Sequence, residues 1–146
     1  MSNGAGPSAG GPVGVLICDD TEAMRVLLRQ VIALRPSLRV VGEAGDGNAA
    51  IVEAKRLQPD VIMLDLAMPR RTGLEALSEL RRVAPAARII VFSGFSETSV
   101  IEEVLELGAD AFLAKGSDVD EINDAIEEVA ALTIPDALAT PTSTAG

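Results

Sequence analysis

Histidine, tryptophan and tyrosine are absent from this chain of 146 residues, and cysteine occurs once. Without histidine there is no Ser-His or Cys-His nucleophile pair, no His-bearing zinc site and no histidine phosphoacceptor. The lone Cys18 rules out an intrachain disulfide and reads as a small apolar residue at a strand end. Chemistry in this chain must therefore run on carboxylates, hydroxyls or amines. Long apolar runs are also missing. Apolar residues make up 48% of the chain, yet no run approaches the roughly 18 to 20 residues that a membrane helix needs. The opening MSNGAGPSAGGP, residues 1–12, lacks the basic start and apolar core of a secretion signal. It is expected to be a flexible arm, on a protein that lies in the cytoplasm and does not engage a membrane.

Bases run out along the chain. Residues 1–96 hold 10 acids and 11 bases, whereas residues 97–132 hold 11 acids and one base, Lys115. The second segment thus carries a charge equal to the whole net charge of −10. Such a surface repels phosphate backbones, so direct nucleic-acid binding by this chain is not expected.

What is present is an alternation. Short apolar runs bounded by Gly, Pro or Asp alternate five times with segments of helical period, the pattern of βαβ units. The strands are expected at 13–18, 38–43, 60–65, 88–92 and 111–114. Each is short and mostly apolar on both faces, as suits a parallel strand covered by helices on both sides. Helices are expected at 22–34, 47–57, 73–83, 97–107 and 119–132, with Pro36, Pro59, Pro85 and Gly108 after the first four as breakers. In the first, Met24, Leu27, Leu28, Val31 and Ile32 share one face, which should be buried. Residues 13–132 thus read as one α/β domain with a doubly wound parallel sheet. Residues 133–146, rich in Thr, Pro and Ala, read as a flexible tail or the start of a linker.

Ligands in open sheets of this kind bind beyond the carboxyl ends of the strands. Asp19 and Asp20 follow the first strand, Asp65 ends the third, Ser93 follows the fourth and Lys115 follows the fifth. Each has a bland explanation: Asp20 or Thr21 as a helix cap, Ser93 as a turn residue, Lys115 as solvated surface. Together those explanations weaken. Three converging carboxylates repel one another by several kcal/mol, on the order expected at this range, unless a cation sits between them. Oxygen ligands without His or Cys suit Mg2+ or Mn2+, and such an ion beside an ammonium and a hydroxyl makes a receptor for a phosphoryl group, with Asp65 as nucleophile.

The pieces VLICDD, VIMLDLAMPRRTG, IIVFSG and GADAFLAKG, in this order over residues 13 to 132, resemble the receiver domain of two-component response regulators. VVGEAGDGNAA and LAKGSD resemble the LuxR-type branch. The resemblance implies a flavodoxin-like (βα)5 sheet of strand order 2-1-3-4-5 and makes Asp65 the phosphoacceptor. It implies that Asp20, Asp65 and the backbone carbonyl of Ala67 ligate Mg2+ or Mn2+, with Asp19 helping through water. Lys115 would pair with the phosphoryl oxygens, Ser93 would donate its hydroxyl to one of them, and Phe112 would be the aromatic switch. The implied partners are a sensor histidine kinase or histidine phosphotransfer protein and, on phosphorylation, a second copy of the chain. Arg25 and Arg29 on the first helix lie where a kinase would dock, or are ordinary solvated arginines.

Departures from the family pattern narrow these expectations. The switch position is Phe rather than Tyr, Gly116 stands where many relatives carry a proline, and neither Ala67 nor Phe95 can orient a water through its side chain. A long-lived aspartyl phosphate is expected. The fourth and fifth helices carry no bases, so a dimer built on charge pairs across them is not. The implied role is a signalling switch that catalyses only its own phosphorylation and dephosphorylation. The alternatives are a receiver fragment of a DNA-binding transcription factor without its output domain, or a small Asp-nucleophile phosphatase. The phosphatase would need a general acid two residues after Asp65, where Ala67 stands.

Overall fold

A computed structural model describes residues 11–68, 70–94 and 98–145, with side chains as far as Leu132. The elements alternate as β1 (Val13–Cys18), α1 (Glu22–Ile32), β2 (Leu38–Ala44), α2 (Gly47–Leu57), β3 (Val61–Leu64), α3 (Gly73–Val83), β4 (Arg88–Ser93), α4 (Thr98–Glu106), β5 (Ala111–Ala114) and α5 (Val119–Ala145). The five strands form one sheet in the order β2-β1-β3-β4-β5, and all four pairings are parallel.

Alternation along the strands sorts the apolar side chains into two layers, because successive residues point to opposite faces. Leu16, Ile62, Leu64, Ile89 and Val91 face one way and pack with Ala50 and Ala54 of α2, Leu77 and Leu80 of α3, and Val104 of α4. Val15, Ile17, Met63, Ile90 and Phe92 face the other way, against Leu28 and Ile32 of α1 and Ile122 and Ile126 of α5. Burying both faces of β1, β3 and β4 leaves their carboxyl ends as the place where polar side chains emerge.

Local chemistry starts and stops the helices. Asp46 caps α2 by accepting from the Ala49 N–H at 2.8 Å. Thr72 and Glu75 form a reciprocal capping box at α3. Gln58 closes α2 in the left-handed region at φ 46°, and its amide donates to the Val83 carbonyl at the end of α3, 2.9 Å away.

The structure corrects several details of the pattern reading. Leu27 is 47% exposed, not core. At about 100° per residue it lies roughly a quarter-turn from the centre of the arc of Leu28, Val31 and Ile32, outside the stripe that meets the sheet. Ser93 is the last residue of β4 rather than the residue after it, and α1 stops at Ile32, short of the turn that precedes Pro36. Past Leu132, where a tail is expected, α5 continues to Ala145. Extending a packed helix requires no new nucleus, which lowers the barrier to including even weak helix formers. The expected start of α4 at Glu97 lies outside the described residues, as does Phe95. No helix among the described residues is long and apolar enough to cross a membrane.

Candidate functional site

The backbone of the sheet carries four of the singled-out side chains to one edge. Past the end of β1, the Asp19 N–H donates to the Ala44 carbonyl at 3.0 Å, and the Asp65 N–H donates to the Cys18 carbonyl at 2.9 Å. At the other side of the sheet the Lys115 N–H donates to the Ser93 carbonyl at 3.0 Å. Strand pairing thus continues one residue past the apolar runs and sets where each functional residue leaves the sheet.

Asp19, Asp20 and Asp65 each place a carboxylate oxygen within 4.8 Å of the others. Asp19 and Asp65 are buried, and Asp20 is exposed. The Lys115 ammonium stands between the two buried acids, 3.0 Å from Asp19 Oδ2 and 3.3 Å from Asp65 Oδ2. Among the described residues, the ion pair with Lys115 is what compensates the buried Asp19 Oδ2. The other oxygens are spoken for: Asp19 Oδ1 accepts from the Thr21 N–H at 2.9 Å, and Asp65 Oδ1 from the Ala67 N–H at 3.2 Å.

Helix capping does not account for the acids. Thr21 is the N-cap of α1 and makes no side-chain capping bond. Asp20 accepts from the Thr21 hydroxyl, 3.5 Å away at the limit of a hydrogen bond. Burial pushes the Asp65 carboxyl above its ordinary range; Asp19 adds to the rise, while the Ala67 N–H and Lys115 oppose it. Burial works against the charge of Lys115, but the two carboxylates outweigh it and raise its pKa. Burial likewise pushes the Cys18 thiol up, leaving it a protonated core residue. A hard divalent cation fits the donor set. All donors are oxygens, they lie close enough to share an ion, and the two buried carboxylates have a single ammonium between them to offset their charge.

Ser93 is fully buried at the end of β4, paired in register with Ala114, next to Lys115. Phe112 is partly buried against the layer that includes Val104 of α4. Ala67 is exposed in the loop after β3. No peptide bond among the described residues is cis, including that between Lys115 and Gly116.

Two arginines of α1 and two glycines hold these loops. Arg25 is not a solvated arginine: its side chain is only 20% exposed, it pairs with Glu43 at 3.1 Å, and it donates to the Asp19 carbonyl. Arg29 also pairs with Glu43. Gly73 and Gly47 sit where a Cβ would lie 2.1 Å from the Asp65 carbonyl oxygen and 1.9 Å from the Arg71 carbonyl oxygen, respectively. Only the bare glycines of GDG and RRTG hinted at such close approaches.

Lys115 has a stability consequence that can be measured. Lys115→Ala is expected to lower stability in the presence of EDTA by about 1 to 2 kcal/mol. That is below the roughly 3–5 kcal/mol of breaking a fully buried pair, because the ammonium is partly solvated. Adding Asp65→Asn should return much of the loss. Urea unfolding at constant m-value checks both, and an unchanged midpoint for Lys115→Ala would show that the ammonium does not compensate the acids.

An open parallel sheet thus carries an acid cluster and a lysine at its carboxyl edge, the place where α/β domains of this kind bind their ligands. Residues 15–127 match the response regulator receiver domain family, and the chain belongs to that family. It is 38% identical over 120 residues to the nitrate/nitrite response regulator protein NarL of Escherichia coli K12, covering 82% of this chain and 56% of that protein. It is 33% identical to the chemotaxis protein CheY of Thermotoga maritima, covering 79% of this chain and 95% of that protein. The receiver domain of the putative response regulator NarL from Mycobacterium tuberculosis superposes with a TM-score of 0.78 at 34% identity, covering 82% of this chain and 96% of that one. The chain spans just over half the length of the curated relatives NarL, NarP and LiaR that it matches.

Proposed function

We propose that Asp65 is the phosphoacceptor of a phosphorylation-dependent signalling switch. The observation that carries this reading is the meeting of Asp19, Asp20 and Asp65 within 4.8 Å, with Lys115 paired to both buried members. A bound Mg2+ or Mn2+, held by Asp20, Asp65 and the Ala67 carbonyl with Asp19 through water, would neutralise charge on the transferring phosphoryl oxygens.

The chain's own residues do the rest. An Asp65 carboxylate oxygen attacks the phosphorus of a phosphohistidine on a sensor kinase or phosphotransfer protein. The new O–P bond forms as the P–N bond breaks, and the imidazole leaves with the bonding electrons. Lys115 exchanges a carboxylate oxygen for a phosphoryl oxygen. Ser93 donates its hydroxyl to another, and Phe112 follows by turning inward toward the space beside α4. The chain turns over no substrate beyond its own phosphoryl group, and it works in the cytoplasm. The readout is a changed surface for a partner or a second copy. Residues 13–132 form the receiver unit, and the continuation of α5 past Leu132 begins a helical linker. Similarity to the transcriptional regulatory protein LiaR of Bacillus subtilis and to a DNA-binding response regulator of the LuxR family from Staphylococcus aureus supports a second reading, in which the unit is the receiver part of a DNA-binding transcription factor.

Incubation with acetyl phosphate and Mg2+, followed by intact-mass measurement, tests the proposal. The expected result is a mass gain of one phosphoryl group that EDTA abolishes. No gain with Mg2+, or an equal gain in EDTA, would sink it.

A further inference from the structure

The loop from β3 to α3 carries an uncommon backbone feature: Arg70, a non-glycine residue, sits in the left-handed region at φ 65°. Such conformations persist where the surroundings over-determine them, and they cluster at functional sites. The surroundings here are the first turn of α2. Arg70 places Nε 3.0 Å and Nη2 2.9 Å from Asp46 Oδ2. The other oxygen of the same carboxylate caps α2 through the Ala49 N–H. The next residue, Arg71, donates from Nε to Asn48 Oδ1 at 2.9 Å, and its carbonyl lies against the bare Cα of Gly47. The loop is closed at its base by the Gly73 N–H donating to the Leu66 carbonyl at 3.0 Å. At its start the Ala67 N–H reaches Asp65 Oδ1.

We propose that Arg70 and Asp46 form a clasp by which the N-terminus of α2 positions the β3–α3 loop, and through it the carboxylate of Asp65. This rests on the reading of the Asp65 pocket as a cation-binding phosphoacceptor site. Stability is a poor explanation for the pair. Arg70 is 68% exposed, where ion pairs add little, and its backbone conformation costs about as much as such a pair returns. Arg70 and Asp46 are positioning residues that do not touch the phosphoryl group.

Arg70→Gly separates the two roles, because glycine relaxes the left-handed backbone while removing the guanidinium. Its melting temperature should stay within about 2 °C of wild type. Its affinity for Mn2+ alone, measured by electron paramagnetic resonance, should fall about tenfold, the low end for residues that orient a ligand. The Ala67 and Gly73 amides should exchange faster in deuterated water. Asp46→Asn should behave alike, since Asn still caps α2 but presents an amide to Arg70. The double variant should be no weaker than either single one, as members of one interaction require. Wild-type Mn2+ affinity and wild-type amide exchange in both single variants would overturn the clasp. If the wild-type protein itself binds no Mn2+, the phosphoacceptor reading fails, and amide exchange alone then decides whether the clasp holds the loop.

Discussion

Asp65→Asn is expected to abolish phosphoryl uptake from acetyl phosphate completely and, in the same protein, to raise the temperature of unfolding. The first effect follows from chemistry: the amide oxygen is not a nucleophile that can form the acyl phosphate, and no other carboxylate of the cluster occupies its place beside Lys115 and the Ala67 N–H. The second follows from the sign of the linkage. Burial and Asp19 hold the Asp65 carboxyl above its ordinary pKa in the folded state. Stability is therefore greatest where Asp65 is protonated, and it is lost as pH rises from the unfolded pKa through the folded one. At neutral pH the ionised Asp65 is a standing cost. An isosteric amide removes that cost, keeps the acceptor for the Ala67 N–H and supplies a donor near Asp19. The gain should be on the order of 1 kcal/mol, or about 3 °C for a domain of this size. It should vanish in acid, where the wild-type carboxyl is protonated, and shrink when Mg2+ is added, since the ion stabilises only the protein that binds it. Thermal unfolding of both proteins in EDTA across pH measures this. A variant less stable than wild type at neutral pH would mean that Lys115 already over-compensates the acids.

Activity and stability thus pull in opposite directions at one residue, and that opposition explains which parts of the site could be read from the sequence. Asp65 stands out in VIMLDLAMPR because a carboxylate in an apolar run has no packing rationale, and Asp19, Asp20 and Lys115 become visible by following other strands. The strands themselves are legible because burial on both faces leaves continuous apolar runs. Their edges shift by only a residue, as at Ala44 and Ser93. The failures have a common cause. Leu27, Arg25 and Arg70 are placed by tertiary geometry that no local period encodes. A leucine a quarter-turn off the stripe looks the same in sequence as one within it. Arg25 is drawn under the loop by Glu43, 18 residues away, and Arg70 is held over α2 by Asp46, 24 residues away. Charge pairs at such separations have no signature in a single sequence.

The glycines show the same limit with larger energetic consequences. Gly73 opens α3, where helix propensity alone predicts that alanine would be stabilising by up to about 1 kcal/mol. The structure reverses the sign. A Cβ there would lie 2.1 Å from the Asp65 carbonyl oxygen and 2.8 Å from the Leu66 Cα. Both are backbone atoms, so no rotamer change relieves the clash, and the strand end carrying Asp65 must move. Gly73→Ala is expected to cost about 3 kcal/mol, at the upper end for overpacking a closed site, and to lower the melting temperature by about 10 °C. Gly94→Ala and Gly116→Ala, whose added methyls would meet nothing within 4 Å among the described residues, should stay within about 0.5 kcal/mol of wild type. Because the obstructing atom belongs to Asp65 itself, the loss cannot be confined to stability. Well below its melting temperature the folded Gly73→Ala protein should accept the phosphoryl group more slowly and bind Mn2+ more weakly than wild type, whereas the two control variants should not. A Gly73→Ala protein that melts at or above wild type and is phosphorylated at the same rate would show that the loop yields to a methyl group at no cost. In that case the close approach of α3 to the end of β3 would have no part in setting Asp65.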